Sequence, residues 1–297
     1  MYENGQGVPC NPEQAINYYK TAAIAADDAR AQYVVGLNYR LGAMSLPQDY
    51  KEAGRYLVRS ARAGFAPAQR ILGLMLAQGL MGRKDERSAL HWFRRAASQG
   101  DVRALCLVGS CYETGTGGVQ VNLERAMEDY HKAVRIPGPF QCAAQLVLAQ
   151  LLLRMDRQRD AYEWFMRAAS HTTNDLVGDT PAAVAGRKAM LMVARYHLHG
   201  WSGVTQDSAT AFQMLHTLIE QNPNEDGALY WLAACYEEGI PGICSPNSTQ
   251  AFEYYKRSAE AGYTDAEFQV IIYLFFLYIQ YSFIRTQKKK EIIYLFI

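Results

Sequence analysis

Alanine recurs along this chain in pairs set eight residues apart, and the pairs themselves recur. They are Ala15 with Ala23, Ala53 with Ala61, Ala89 with Ala97, Ala161 with Ala169 and Ala251 with Ala259; in Ala126 with Val134 and Ala211 with Ile219 the second member is a larger apolar residue. The first members follow one another at 38, 36, 37, 35, 50 and 40 residues. A period of that length is one supersecondary unit, not a domain, so the chain is built by repetition. Between the paired positions lies a bulky doublet, Tyr18-Tyr19, Trp92-Phe93, Trp164-Phe165 or Tyr254-Tyr255. Wound as a helix, each segment presents small, large and small groups along one face, as close helix packing requires.

Ahead of each such helix stands a second periodic segment, Ala-x-x-x-Leu-Gly-x-x-Tyr-x-x-Gly in its fullest form. It runs from Ala31 to Gly42, Ala68 to Gly79, Ala104 to Gly115, Ala189 to Gly200 and Ala228 to Gly239. Small residues at Gly36, Gly73, Gly109, Ala194 and Ala233 let a partner helix approach. The closing glycine is where a helix stops with positive φ. Each unit therefore reads as a helical hairpin. A lone hairpin cannot bury its apolar face, whereas stacked neighbours make a continuous core. The fold class expected is all-α, a right-handed α-solenoid of about seven hairpins over residues 1–269, without a strand. Helices are expected near 11–20, 30–41, 227–238 and 249–261. Tyr2 and Gly5 stand at the tyrosine and closing-glycine positions, so the first unit reads as truncated.

The rhythm fails in two places. The unit around Ala161 reads "LLLRMDRQRDAYEWF", with a shorter turn and no glycine loop, and residues 170–188 insert extra sequence in which Thr180-Pro181 resembles a helix start. After Ala266-Glu-Phe-Gln-Val270, where another first helix begins, comes "IIYLFFLYIQYSFIRTQKKKEIIYLFI", free of alanine, glycine and proline. Residues 270–297 are thus an atypical hydrophobic tail with two readings, a mis-annotated end or a tail anchor. As a helix, the uncharged run from Val270 to Ile284 spans about 22 Å at ~1.5 Å per residue, short of the ~30 Å hydrocarbon core.

Chemistry is hard to find. The formal charge is +1, so electrostatics suggests no nucleic-acid partner. The six cysteines include no C-x-x-C pair and no regular framework, which fits a reducing, cytoplasmic setting, with the endoplasmic reticulum or a membrane surface as the other settings considered. Cys111 and Cys235 share one repeat position and read as core residues. "GTGG" at 115–118 lacks the following Gly-Lys-Ser/Thr of a phosphate loop and reads as a turn needing positive φ. His197 and His199 flank a helix end and point to different sides, away from a shared metal with His216. Nothing converges as acid, base and nucleophile. No enzyme activity, cofactor, metal or small-molecule substrate is expected.

The stretches "ALCLVGSCYETGTGGVQVNLERAMEDYHKAV" and "ALYWLAACYEEGIPGICSPNSTQAFEYYKRSAEAG" resemble the Sel1-like repeat family, a relative of the tetratricopeptide repeat with a longer loop in each unit. The resemblance covers roughly residues 1–269. It implies a non-enzymatic adaptor or scaffold for protein partners, similar to fungal activators of chitin synthase; adaptors of endoplasmic-reticulum-associated degradation are the alternative. Enzyme inhibitors claimed among cysteine-rich bacterial relatives are the opposed class, and their regularly spaced cysteine pairs are missing here. The resemblance also implies that first helices line a concave partner-binding surface through the positions two, six and nine after the opening alanine. In this sequence those are Tyr33, Leu37 and Arg40; Arg70 and Leu74; Cys106, Ser110 and Glu113; Leu191 and Arg195; Tyr230 and Glu237. Membrane contact is expected only if the tail is an anchor. Reversing the charges of Arg40, Arg70 and Arg195 should spare folding, whereas a bulky residue at Ala97 should overpack a helix interface.

Overall fold

The computed structural model describes residues 10–170 and 180–275. Among these residues the regular structure is helical, and the sole β feature is an isolated bridge between Ile240 and Cys244 within a loop. The chain divides into two compact units, Met1–Met155 and Asp156–Ile297. The first holds α1 (Pro12–Ala25), α2 (Ala29–Leu41), α3 (Tyr50–Arg62), α4 (Ala66–Gln78), α5 (Glu86–Ala97), α6 (Val102–Thr114), α7 (Leu123–Val134) and α8 (Gln141–Arg154). The second holds α9 (Gln158–Ser170), α10 (Pro181–His199), α11 (Ser208–Gln221), α12 (Asp226–Glu238), α13 (Ser248–Glu260) and α14, helical over residues 264–275. In each unit successive helices pack on one another as stacked hairpins, α2 on α3, α4 on α5, α6 on α7, α10 on α11 and α12 on α13. The four helices expected near 11–20, 30–41, 227–238 and 249–261 are α1, α2, α12 and α13. Tyr2 and Gly5 lie outside the described residues.

Helix ends follow the residues that stand there. The first helices α2, α4, α6 and α10 stop on left-handed glycines, Gly42, Gly79, Gly115 and Gly200, with φ between 64° and 76°. The second helices start on side-chain caps: Asp49, Asp85, Asn122, Asp207 and Asn247 each accept a backbone N–H of the first turn. The cap residue also ties the loop shut. Its own N–H donates back to the first helix, Asp49 to the Tyr39 carbonyl, Asp85 to Leu76, Asn122 to Tyr112, Asp207 to His197 and Asn247 to Tyr236, at 2.7–3.0 Å. Thr180 caps α10 through its hydroxyl, 3.2 Å from the Ala183 amide, with Pro181 at the first helical position, as the sequence suggests.

Packing explains the glycine in the first helix. A Cβ on Gly109 would stand 2.4 Å from the Tyr130 ring, and one on Gly73 would stand 2.5 Å from Phe93, so each aromatic of the second helix lies on bare backbone of the first. Tyr130, Phe165 and Tyr255 are fully or almost fully buried, each contributing about 1.5–3 kcal/mol through burial. Neighbouring hairpins are joined by polar reach. The Gln32 amide donates to the Ala23 carbonyl and the Gln69 amide to the Ala61 carbonyl, both from one hairpin to the next.

The register of the small residues departs from expectation in α5. Ala89 is buried, but its deeply buried partner is Ala96, and Ala97 is only half-buried. Seven residues bring a helix round to within about 20° of the start, whereas eight overshoot by about 80°. Overpacking is therefore expected at Ala96 and not, as the eight-residue pairing suggested, at Ala97.

The unit expected around Ala161 is split, for its first helix α8 belongs to one compact unit and its second helix α9 to the other. The break expected at 269/270 falls inside α14, where Ala266 is buried and Val270 and Tyr273 pack on the Ala233, Ala251 and Tyr255 cluster. Among the described residues no helix is long and apolar enough to cross a membrane. The tail beyond residue 275 lies outside the described residues.

Candidate protein-interaction face

The first helices carry every residue named from the sequence as a partner contact, and the structure sorts them by what they touch. In the first unit, α2 holds Tyr33, Leu37 and Arg40, all half-buried. The Tyr33 ring meets Phe65 edge-on at 5.2 Å. On α4, Leu74 is drawn between two apolar clusters. On α6, burial pushes the Cys106 thiol up to about 12, and the Ser110 carbonyl accepts from the Thr114 hydroxyl. Glu113 accepts from the Tyr130 hydroxyl at 2.7 Å and from the Arg154 guanidinium.

Arg70 departs from the expected free position. Only 6% of it is exposed, and its Nε donates to Asp101 Oδ2 at 3.0 Å across the junction between one hairpin and the next, while its Nη1 is buried without a hydrogen-bond partner. Charge reversal there would put a carboxylate against Asp101 inside the protein, so it would cost folding, contrary to the sequence expectation. Arg103, which the repeat positions did not single out, joins the same place. Its guanidinium lies 4.9 Å from the centre of the Phe140 ring. Desolvation lowers the Arg103 pKa, repulsion by Arg70 and Arg40 lowers it further, and Asp101 and Tyr33 act the other way. Arg40 adds a buried Nε with no hydrogen-bond partner. Asp101 is already occupied, since Oδ1 caps α6 by accepting the Ala104 amide at 2.9 Å.

In the second unit Leu191 packs into the core and would meet any side chain placed at Gly227. Arg195 lies between two indoles, 5.4 Å from Trp201 and 5.0 Å from Trp231, and its Nε is buried and unpartnered. Tyr230 stands against Trp231, Tyr255 and Tyr263, with ring centres 4.9–5.3 Å apart. Glu237 accepts from the Tyr255 and Tyr273 hydroxyls, each at 2.8 Å. The tryptophans went unnoticed because Trp201 sits in the loop after the closing glycine and Trp231 falls between the chosen offsets.

The residues considered for chemistry stand apart. His197 meets the Tyr162 hydroxyl at 3.3 Å, whereas His199 stacks on Trp201 at 4.7 Å. Gly115, Gly117 and Gly118 all have φ near +76°, so the "GTGG" stretch is a turn whose three glycines are left-handed. Burial raises the thiol pKa of Cys111, and that of Cys235 to about 12. Among the described residues no group of His, Cys, Asp and Glu is placed to hold a metal ion.

A family model described as "Sel1 repeat" matches six segments, residues 1–27, 29–65, 66–101, 102–135, 187–223 and 227–263. Among curated proteins, the chain is 29% identical over 182 residues to "Chitin synthase regulator SKT5" of Saccharomyces cerevisiae, a match covering 57% of this chain and 26% of that protein. It is 34% identical over 105 residues to "Chitin synthase regulatory factor 3" of Schizosaccharomyces pombe, covering 35% of this chain and 11% of that one. It is also 37% identical over 92 residues to "DAP3-binding cell death enhancer 1" of Rattus norvegicus, covering 31% and 17%. The matches thus span about a quarter or less of these relatives. Among solved structures, the Sel1 repeat protein from Oxalobacter formigenes superposes with a TM-score of 0.68 at 23% identity, over 92% of this chain and 73% of that one.

Proposed function

Because the chain belongs to the Sel1 repeat family, whose repeats account for well over half of its length, we propose that it is a non-enzymatic adaptor that binds a protein partner along its first helices. The observation that carries this reading is Arg195, held between Trp201 and Trp231 with Tyr230 alongside and an unpartnered Nε. Arginine, tryptophan and tyrosine are the residues on which protein contacts concentrate their binding energy. A guanidinium pre-ordered by two rings gives up little rotamer freedom on meeting a partner. The names of the two fungal relatives favour a finer reading, in which the partner is a chitin synthase or a protein of its complex.

The test is capture of a detergent-solubilised fungal chitin synthase by the immobilised full chain. Arg195→Glu should reduce capture by at least about tenfold while leaving the helical melting curve in place. Capture unchanged by Arg195→Glu would overturn this face as the contact. No capture by the parent chain would overturn the chitin synthase reading.

A further inference from the structure

We propose that Arg59, Arg62, Arg95, Arg103 and Arg135 form a cationic edge along three successive turns of the first unit, and that this edge takes an acidic segment of a partner protein. The kind of partner rests on the adaptor reading, while the residues are none of those around Arg195. The turns join a second helix to the next first helix, α3 to α4, α5 to α6 and α7 to α8. Printed on one edge by direct contacts, they stack in that order. The Gln99 side-chain amide donates to Gln69 Oε1 at 2.8 Å, which sets the end of α5 against the start of α4. A Cβ on Gly100 would stand 4.0 Å from Ile136 and the Arg103 guanidinium lies 4.9 Å from the Phe140 ring centre, which sets the second turn against the third. All five arginines are exposed, and among the described residues none of them is in an ion pair. Arg95 and Arg103 rest over Trp92 and Phe140, at 5.0 and 4.9 Å, so these two guanidiniums are ordered before a partner arrives. Across residues 59–65, 95–103 and 132–140 the one acid is Asp101, which caps α6 and pairs with Arg70.

The fold does not demand this charge. Bases in a last turn complement the helix dipole, which covers Arg59, Arg62 and Arg95, but Arg103 stands in the first turn of α6, at the positive end. In the second unit the corresponding turn, between α11 and α12, carries Glu220, Glu225 and Asp226, and α11 has no base in its last turn. Guanidiniums in a row suit two-point contact with carboxylates. A bilayer fits less well, since no large apolar side chain is exposed in the three turns to enter it. A nucleic acid fits less well too. The turn before α2, joined to the end of α3 by the 2.6 Å bond from the Ser60 hydroxyl to the Ala29 carbonyl, carries exposed Asp27 and Asp28, which repel a polyanion longer than the row.

The test is fluorescence anisotropy of a fluorescein-labelled peptide of alternating Glu and Ser, titrated with the full chain at low and moderate salt, beside the same peptide with Gln for Glu. The acidic peptide should bind at least about tenfold more tightly, and its affinity should fall as salt rises. Arg62→Gln with Arg95→Gln and Arg135→Gln should weaken it at least about tenfold and leave the thermal melt in place, because all three side chains are exposed. A control removes the same charge elsewhere in the first unit, through Arg55→Gln, Arg83→Gln and Arg87→Gln, also exposed, and should bind within about twofold of the parent at moderate salt. Equal binding of the two peptides would overturn the proposal, as would a loss in the control as large as in the edge variant. So would phosphatidylserine vesicles or a duplex oligonucleotide whose binding depends on the edge arginines when that of the peptide does not. Failure here is distinguishable from failure of the adaptor reading: chitin synthase capture that still depends on Arg195, without preference for the acidic peptide, overturns the edge alone.

Discussion

Glu113 in the first unit and Glu237 in the second occupy one repeat position, the acid of "CYETG" and of "CYEEG", and they are built into their surroundings by different chemistry. Each accepts the hydroxyl of a buried tyrosine on the following helix, Tyr130 or Tyr255. The second donor comes from the next first helix and differs in kind: Arg154 of α8 for Glu113, Tyr273 of α14 for Glu237. Burial, first of all, and the hydrogen bond to the glutamate, second, raise the pKa of both Tyr130 and Tyr255, so both phenols remain donors throughout the physiological range. The acid is therefore a joint among three successive helices. What is kept between the two units is the tyrosine bond, and what varies is whether the third member brings a charge. Oxygens engaged in this way contribute to stacking of the hairpins within each unit first, whatever a partner later meets.

The largest expected effect tests whether the two joints are equal. Tyr130→Ala and Tyr255→Ala should each cost about 3–5 kcal/mol, as for other large buried aromatics, read from urea unfolding. A loss below about 1 kcal/mol at either position would break the equivalence. Next, Tyr130→Phe and Tyr255→Phe keep the ring and remove the donor, so each should cost about 1–2 kcal/mol. Smaller again is the third member. Arg154 is about half exposed, so Arg154→Ala should cost under about 1 kcal/mol, fading in high salt, whereas the loss in Tyr273→Phe should not respond to salt. A salt-insensitive Arg154→Ala would show that the charge contributes nothing beyond its packing.

A last, kinetic probe uses the thiols two residues ahead of each acid. Cys111 and Cys235 are buried, the latter with its pKa pushed up to about 12. The Cys235 thiol stays un-ionised at pH 8, so alkylation should lag far behind that of exposed Cys10.

The hairpin architecture was legible because its determinants are local. Alanine, glycine and tyrosine at fixed offsets report on one helix and its nearest neighbour, and Gly109 beneath Tyr130 is the kind of contact such spacing foretells. The fate of Arg70 was not legible. Its offset placed it correctly on the first helix, but its partner Asp101 lies 31 residues on, at a cap position readable only as a cap. The Glu113 joint with Arg154 spans 41 residues and that of Glu237 with Tyr273 spans 36, so each depends on how one unit is set against the next. Arg103 was missed for the same reason: its neighbours Arg40 and Arg70 come from two earlier units, and no single repeat shows the three together. The misplaced emphasis on Ala97 has a simpler origin, an eight-residue template applied where the helix face returns after seven.

The backbone tie that closes five of the hairpins bears on how such a chain can change over generations. The donor amide and the accepting carbonyl lie nine residues apart between Leu76 and Asp85, ten between Tyr39 and Asp49, and eleven between Tyr236 and Asn247, yet the bond is made in every case. Residues gained or lost inside the tie are absorbed by the loop and never reach the helices, so the repeat period can drift while the contacts between helices keep their register. Inheritance can thus lengthen or redecorate one edge of the molecule, unit by unit, at the small entropic cost of a longer loop, which leaves these loops as its freest ground for acquiring new sequence.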